Sequence, residues 1–229
     1  MPSDDFECHI CRDSKHVLKD GIYKRCDCLT NQLLNVSLAE AGISYPSESL
    51  VLDSSEIEKQ WPSFNLDQDT LSYLKTINST ILEKNIIPKK LFCFQGSADS
   101  PKDFMIQCIL KSAVIKGMKV KSVTMPELVA RNFKKDEEAP SLEKMFTELD
   151  ILSVYFGSEV QYNIGASFLH ELIRLHNNNN GNHCLILNTF APLDLIGAKY
   201  GDRIKNLFVR WDGYLKEHDR RVFFMSVET

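Results

Sequence analysis

The stretch Leu91-Phe92-Cys93-Phe94-Gln95-Gly96-Ser97-Ala98-Asp99-Ser100-Pro101-Lys102-Asp103-Phe104 runs from an apolar segment through a polar loop into a second apolar segment. Residues 91–95 are typical of a short buried strand, and residues 102–116 are apolar on most sides, as in a helix packed against a sheet. Gly96 stands first and Lys102 seventh, which is the skeleton of the phosphate-binding loop G-x4-G-K-[ST]. The stretch therefore predicts a strand, a phosphate-type loop and a helix.

Two positions of this loop differ from the phosphate-binding pattern. Pro101 stands where a glycine would donate its amide, but proline has no N–H and its φ is fixed near about −65°. Asp103 stands where a Ser or Thr hydroxyl would hold Mg²⁺, and its carboxylate repels a triphosphate by roughly 4 kcal/mol per unit charge at about 4 Å. The missing amide forfeits about 1.5–3 kcal/mol more. Together these differences argue against tight binding of ATP and Mg²⁺.

The third predicted strand gives an independent test of ATP hydrolysis. An active ATPase of this kind carries acidic residues at the C-terminal end of that strand, where they hold Mg²⁺ and orient water. This chain has Val154 and Tyr155 there. Its only carboxylate, Asp150, lies at the start of the strand, roughly 13–17 Å too early at about 3.3 Å per residue. We therefore expect no catalytic residue and no ATP turnover.

From residue 87 onward, strand-type and helix-type periodicities alternate, which is typical of an α/β domain with a parallel sheet. Five strands are predicted at residues 91–95, 119–124, 150–156, 183–189 and 221–227. Helices are predicted at 102–116, 126–133, 141–148 and 165–176, and two short ones at 192–217. Ser141 suits an N-cap, residues 134–138 a solvated loop and residues 177–182 a turn. Residues 87–229 are thus predicted to form one domain.

Four of the seven cysteines lie in the first 28 residues, as C-x2-C, fourteen residues, then C-x-C, with Gly21 at a turn between the pairs. Cys8, Cys11, Cys26 and Cys28 would supply the four soft ligands that close a tetrahedral structural Zn²⁺ site. A unit of about 45 residues can hardly stabilise itself without such a staple. Residues 1–45 are therefore predicted to be a zinc-binding domain that does no chemistry.

The other chemistry-bearing residues near this motif leave alternatives open. His9 and His16 could replace a cysteine as ligand. Alternatively, the four cysteines bind no metal and are small buried hydrophobic side chains. Cys93, Cys108 and Cys184 lie at apolar strand or helix positions and are expected in the core. Residues 46–86, rich in Ser, Asp and Glu and ending in a helical pattern, are predicted to be a linker and a docking helix.

Charge and hydropathy restrict the partners. With 27 Lys plus Arg against 31 Asp plus Glu the net charge is −4, so no global positive field holds nucleic acid. No apolar run reaches the roughly 18–20 residues that cross a bilayer, so a soluble, cytoplasmic protein with no membrane partner is expected. The last thirty or so residues are mildly basic, and Phe208, Trp211 and Tyr214 could stack on bases of single-stranded DNA, although aromatic residues at helical spacing are more often core.

The order of motifs along nearly the whole chain carries a resemblance to a known family. The motifs are Cys8-His9-Ile10-Cys11-Arg12-Asp13, Lys24-Arg25-Cys26-Asp27-Cys28, Ala-Gly-Ile at 41–43, the strand and helix start at 123–128, Phe-Gly-Ser-Glu at 156–159, Leu-Asn-Thr at 187–189 and Lys-Tyr-Gly-Asp-Arg-Ile at 199–204. In this order and spacing the chain resembles the bacterial and phage helicase loaders of the DnaC/DnaI type.

That resemblance implies a P-loop NTPase domain of the AAA+ type behind the zinc module. In the family, the zinc module binds the replicative hexameric helicase of the DnaB type, and the AAA+ domain uses ATP and single-stranded DNA to control the helicase ring. The resemblance also implies that Asn188 or Thr189 is the sensor residue and that Arg203 lies near a subunit interface. The candidate nucleotide site is then Gly96, Lys102, Asp103, Asn188 and Arg203.

Three hypotheses follow. The first is a catalytically degenerate loader-like protein that binds the DnaB-type helicase, or the active loader, through the zinc domain and regulates loading. The second is a divergent but active AAA+ ATPase that binds Mg-ATP through Lys102 and Asp103 and borrows acidic residues from a neighbouring chain of a homo- or hetero-oligomer. The third is a replication accessory protein that binds single-stranded DNA.

Overall fold

The computed structural model describes residues 7–19, 21–43, 52, 54–62, 68–97, 100–133, 141–157, 162–178, 183–208 and 220–225. An N-terminal hairpin, β1 (His16–Lys19) and β2 (Ile22–Arg25), precedes three helices, α1 (Asp27–Glu40), α2 (Ser54–Gln60) and α3 (Gln68–Lys84). The elements that follow are β3 (Leu91–Gly96), α4 (Lys102–Ile115), β4 (Val120–Thr124), α5 (Met125–Phe133), α6 (Leu142–Glu148), β5 (Ile151–Phe156), α7 (Tyr162–Asn178), β6 (Cys184–Thr189), α8 (Leu193–Tyr200), α9 (Asp202–Phe208) and β7 (Arg220–Met225).

Five of these strands form one sheet in the order β4-β5-β6-β3-β7, and all of its pairings are parallel. Parallel neighbours need crossover connections, which the intervening helices supply. The predicted α/β fold with a five-stranded parallel sheet is therefore confirmed. Among the helices described, none combines the length and the apolar character needed to cross a bilayer.

The sheet is buried on both faces. Alternate strand residues point to opposite faces, so Phe92 and Phe94 of β3 pack in one cluster, while Leu91 and Cys93 pack in the other. The first cluster joins the sheet to α3 and α4, and the second joins it to helices α5 to α9. Cys93, Cys108 and Cys184 are all at most 2% exposed, which confirms their predicted place in the core.

Most predicted element boundaries lie within a few residues of the observed ones. The Ser141 hydroxyl accepts the N–H of Lys144 at 3.2 Å and caps α6, as expected. The turn predicted at 177–182 begins too early, because α7 continues to Asn178; residues 179–182 lie outside the described part. The loop predicted at 134–138 also lies outside it.

The segment predicted as a linker and docking helix is built into the α/β domain. The apolar stripe of α3 (Leu71, Leu74, Ile77 and Ile81) is at most 6% exposed and lies in the same cluster as α4 and β3. The helical spacing was identified correctly, but the partner of this stripe is the chain's own sheet layer. Hydrophobic spacing alone does not distinguish an internal partner from an external one.

The C-terminal end of α1 is attached to the edge strand β4. The N–H of Ser122 donates to the carbonyl of Ala41 at 2.7 Å, and Lys121 Nζ donates to the carbonyl of Glu40. Gly42 follows with φ +75°, and a Cβ at this position would collide with the backbone oxygen of Ser122. A glycine is required here for both reasons, and the N-terminal unit is thereby joined to the sheet.

Candidate functional site

The first cysteine pair lies on a tight, hydrogen-bonded turn. Cys8 and Cys11 flank it, and the Asp13 carboxylate accepts the N–H groups of Glu7 at 3.2 Å and Cys8 at 2.9 Å. Arg12 and Asp13 adopt φ values of +47° and +62°, which fold the chain back sharply after Cys11. Such left-handed conformations are uncommon outside glycine and persist where the surrounding bonds hold them. The turn brings both sulfurs to one side.

The hairpin returns the chain so that the second cysteine pair meets the first. Gly21, at φ +77°, lies at the tip of the hairpin, as the sequence predicted. After β2, the N–H of Cys26 donates to the carbonyl of Lys15 at 2.9 Å. Cys26 then occupies the N-cap position of α1, which leaves Cys28 in the first helical turn. The helix start thus brings two thiols that are one residue apart to the same side.

The four sulfurs form one compact group. All of their Sγ atoms lie within 4.8 Å of one another, with 3.8 Å between Cys8 and Cys26 and 3.5 Å between Cys11 and Cys28. Zn–S bonds of about 2.3 Å in a tetrahedron place the sulfurs about 3.8 Å apart. The spacing and the soft donor set therefore fit a structural Zn²⁺ ion, and a closed set of four leaves no position for a substrate.

The histidines proposed as substitutes are not needed for this site. The only cluster that could hold a metal within the described residues contains the four cysteines and no histidine. His16 Nδ1 lies 3.2 Å from the carbonyl oxygen of Ser14, and His9 is exposed. The fold therefore brings together the four cysteines that the sequence singled out, and the two histidines remain outside the group.

The protonation of the cluster favours a cation at its centre. The N–H groups of Cys11 and Ile10 lower the pKa of the Cys8 thiol to about 7. Desolvation and the neighbouring sulfurs raise the pKa of Cys28 to about 12. The Cys8 thiol thus ionises readily, whereas desolvation and the neighbouring sulfurs keep the Cys28 thiol protonated. A divalent cation would reverse that order, because it stabilises every thiolate that it binds.

The second candidate site lies at the carboxyl edge of the sheet, where three neighbouring strands end. In the parallel register, Asn188 of β6 is opposite both Phe94 of β3 and Tyr155 of β5. Gly96 is buried at the end of β3, directly before the predicted phosphate-type loop. Ligands of open α/β sheets bind outside these carboxyl ends. The fold therefore brings Lys102, Asp103 and Asn188 together where the sequence predicted them.

The charge of Lys102 is taken up within this site. Its Nζ donates to both carboxylate oxygens of Asp103, at 3.0 and 3.1 Å, and lies 5.5 Å from the centroid of the Tyr155 ring. The Lys102 side chain is fully buried, whereas that of Asp103 is 44% exposed. A buried ammonium is stable only with a partner, so Asp103 and Tyr155 act as its counter-ion and its cap.

Asn188 completes this arrangement from β6. Its Nδ2 donates to Asp103 Oδ1 at 2.6 Å, while its Oδ1 is buried without a hydrogen-bond partner. Thr189, the alternative sensor residue, is turned away, and its hydroxyl accepts the N–H of Ala191 at 3.1 Å. Of the two residues that the sequence left open, Asn188 is the one that contacts the site.

The loop that precedes Lys102 is closed by its own serine. Ser100 donates to the carbonyl of Ser97 through both its N–H, at 3.2 Å, and its hydroxyl, at 2.7 Å. Pro101 has φ −71°, close to the value expected from its ring, and stands at the N-cap of α4 with no side-chain cap. Pro101 therefore contributes neither an amide donor nor a capping group to a phosphate.

Two further residues singled out from the sequence lie on α9. Arg203 is exposed on its first turn, and its place near a subunit interface stays a prediction. Phe208, proposed to stack on bases, is fully buried in the core with Phe156, so that proposal is wrong for this residue. Trp211 and Tyr214 lie outside the described residues. Aromatic side chains at helical spacing are more often buried in the core than exposed to a ligand.

One feature of the site was not predicted. Tyr155 was recognised only as the absence of an acidic residue, whereas its ring covers Lys102 and stacks at 5.7 Å on Phe190, which is 37% exposed. An aromatic residue at the end of the third strand, opposite a loop lysine, was the available signal. Its meaning depends on how the strands are ordered in the sheet, which a single sequence does not state.

No known family profile matches this sequence, and no curated protein does. Solved structures match it by shape. A DNA replication initiation factor and the replication initiator DnaA bound to AMPPCP and single-stranded DNA are each 13% identical and superpose with a TM-score of 0.50. They cover 81% and 78% of this chain, which spans about half (51%) of each of theirs. The DnaC helicase loader is 16% identical over 75% of this chain and 99% of its own, with a TM-score of 0.48. The chain therefore shares the fold of these two replication initiators.

Proposed function

We propose that this chain is a catalytically degenerate, helicase-loader-like DNA replication protein. It binds the replicative hexameric helicase of the DnaB type, or the active loader, through the predicted zinc-binding domain of residues 1–45, which we call the zinc unit. Its AAA+ domain serves as a scaffold. The observation that carries this proposal is the buried Lys102, whose charge is held by Asp103 beneath the ring of Tyr155.

The Lys102–Asp103 pair opposes nucleotide binding in two ways. A triphosphate would have to displace Asp103 from Lys102, which breaks two hydrogen bonds to a fully buried ammonium. The released carboxylate would then lie next to the phosphates and repel them. Because this carboxylate occupies the position of a magnesium-binding hydroxyl, the arrangement supports a site that has replaced its ligand with one of its own side chains.

The end of β5 supports the absence of hydrolysis. Val154 is fully buried in the core cluster, and Tyr155 covers Lys102 with its ring. Neither side chain can hold Mg²⁺ or orient an attacking water, which is the task of the acidic residues in active ATPases of this kind. The catalytic role would have to come from another chain.

The zinc unit supports a role in protein binding. Its four cysteines form a closed set, so the metal would hold the local fold and do no chemistry. The same unit is fixed to the sheet through Ala41, Gly42 and Ser122, so whatever it binds is held at a defined place relative to the AAA+ domain. The two initiators of the same fold are DNA replication proteins, and one of them was solved with single-stranded DNA.

Co-purification with the replicative helicase of the same host tests this function. Cys26→Ser with Cys28→Ser is expected to abolish co-purification, because the unit loses two of its four ligands. Lys102→Met is expected to leave it unchanged, and Cys108→Ala is the control for a cysteine outside the cluster. Undiminished binding after loss of the zinc ligands, or dependence of binding on Lys102, would contradict the proposal.

A further inference from the structure

The zinc unit carries an exposed apolar surface that its own fold does not use. Seven of the eight residues in β1 and β2 are exposed, and Val17 is half-buried. Leu18 and Ile22 are each 62% exposed, and Tyr23 is 77% exposed. Leu18 and Tyr23 are direct partners across the two strands and share one face of the hairpin, whereas Lys19, Ile22 and Lys24 lie on the opposite face. We call Leu18 and Tyr23, with Arg25 on the same face, the hairpin surface.

The hairpin does not owe its stability to these side chains. A two-stranded hairpin by itself is only marginally stable in water, and apolar side chains that remain in water contribute little to the free energy of folding. The strand ends are instead held by the Cys26 N–H bond to the carbonyl of Lys15 and by the cysteine cluster beyond it. Adjacent exposed apolar residues of this kind are typical of an interaction site.

The charge around the hairpin surface specifies the chemistry of the partner. Lys19, Lys24 and Arg25 are exposed on the two strands, and the strands contain no acidic residue. The chain as a whole has a net charge of −4, so this local positive charge stands against the average of the molecule. A partner with acidic side chains around an apolar patch is complementary to it in both respects.

A nucleic acid fits this surface less well. Three cations neutralise few phosphates, and Leu18 would meet a charged backbone that offers it no apolar contact. A protein surface makes use of the leucine as well as the nearby cations, and exposed tyrosines are frequent anchors in protein interfaces.

We propose that the hairpin surface is the part of the zinc unit that docks an acidic, apolar-bearing protein surface, with Tyr23 and Leu18 as its anchors. This inference rests on the proposed function, because it assigns the contact with the replicative helicase to one side of the zinc unit. The lysines steer the encounter, and the apolar pair determines how long the complex lasts.

The affinity of the purified full-length chain for the purified helicase hexamer tests the proposal. Leu18→Ser with Tyr23→Ser is expected to weaken binding at least about tenfold, mainly through faster dissociation. Lys19→Glu with Lys24→Glu is expected to slow association and to reduce its dependence on salt. The matched controls are Ile86→Ser, which replaces a 54% exposed apolar residue far from the zinc unit, and Lys84→Glu at the exposed end of α3. Bound zinc must stay equal in all variants, since this shows that the unit is folded.

The outcomes separate the two proposals. Wild-type binding that the hairpin variants retain would overturn the docking surface and leave the proposed function in place. Absence of any wild-type binding would overturn both. If the hairpin variants instead lose affinity for single-stranded DNA, or dissociate a homodimer in sedimentation, while helicase binding is unchanged, the partner is a nucleic acid or a second copy, and the proposal is wrong.

Discussion

The cysteine cluster and the Lys102 site at the carboxyl edge of the sheet differ in whether a ligand is needed. In the zinc unit, the four sulfurs lie at distances as short as 3.5 and 3.8 Å from one another. At the carboxyl edge of the sheet, the buried ammonium of Lys102 is already bonded to the Asp103 carboxylate and covered by an aromatic ring. Four soft ligands gathered at one point suit a metal ion, whereas a cation with its own counter-ion needs no ligand.

The cysteine cluster and the sheet are physically connected. Helix α1 begins at the N-cap Cys26 and ends against β4, so one helix links the cysteine cluster to the sheet. At about 1.5 Å per residue, its 14 residues separate the two ends by about 21 Å. The α/β domain thus holds the zinc unit in place through α1.

Loss of the metal should have the largest effect. Cys8→Ser with Cys11→Ser is expected to release the zinc and unfold residues 7–43, since apparent zinc-binding energies of structural sites are about 10–16 kcal/mol. Elemental analysis and circular dichroism measure the two consequences. Cys108→Ala, at a buried core position, should keep one zinc per chain. One full equivalent of zinc in the double variant would show that these cysteines do not hold the metal.

A change at the contact between α1 and β4 should have the second largest effect. Gly42→Ala is expected to lower the free energy of unfolding by about 2–5 kcal/mol, because the new Cβ meets the Ser122 backbone and φ is +75°. Gly117→Ala is a matched control, with the same φ of +75° but no atom near its Cβ, and should cost only about 1–2 kcal/mol. Equal losses in chemical denaturation would mean that the α1–β4 contact contributes nothing.

The buried ion pair should give the smallest effect, with a characteristic asymmetry. Asp103→Ala leaves the buried Lys102 ammonium without its carboxylate and should lower the free energy of unfolding by about 1–3 kcal/mol, since Asp103 is partly exposed. Lys102→Met keeps the volume and removes the charge, so it should cost less than about 1 kcal/mol. If denaturation gives the reverse order, Asp103 is not the group that stabilises Lys102.

The sequence predicted much of the fold and the group of four cysteines that the fold brings together. The strand and helix spacings after residue 87 predicted five parallel strands, because burial on both faces leaves an unmistakable apolar pattern. The four cysteines were predicted by their spacing alone, since few other arrangements use paired thiols in so short a segment. At Lys102 and Asp103, the residue types predict poor nucleotide binding, and this stays a prediction.

What the sequence could not provide depends on contacts between distant segments. The stripe Leu71, Leu74, Ile77 and Ile81 looks the same whether it docks on a partner or on the chain's own sheet, and the structure shows the latter. The position of Tyr155 over Lys102 requires that β5 lie two strands away from β3, with β6 between them, and this order is not written in either segment. Phe208 was compatible with DNA stacking or with the core for the same reason, and the structure shows it buried.

Calorimetric titration of Mg-ATP into the full chain, alone and with single-stranded DNA, tests the central claim most directly. The account predicts no saturable binding at millimolar nucleotide, and no difference between the wild type and Lys102→Met. Stoichiometric binding of Mg-ATP that Lys102→Met abolishes would contradict it, because Lys102 would then be available to a phosphate in spite of Asp103.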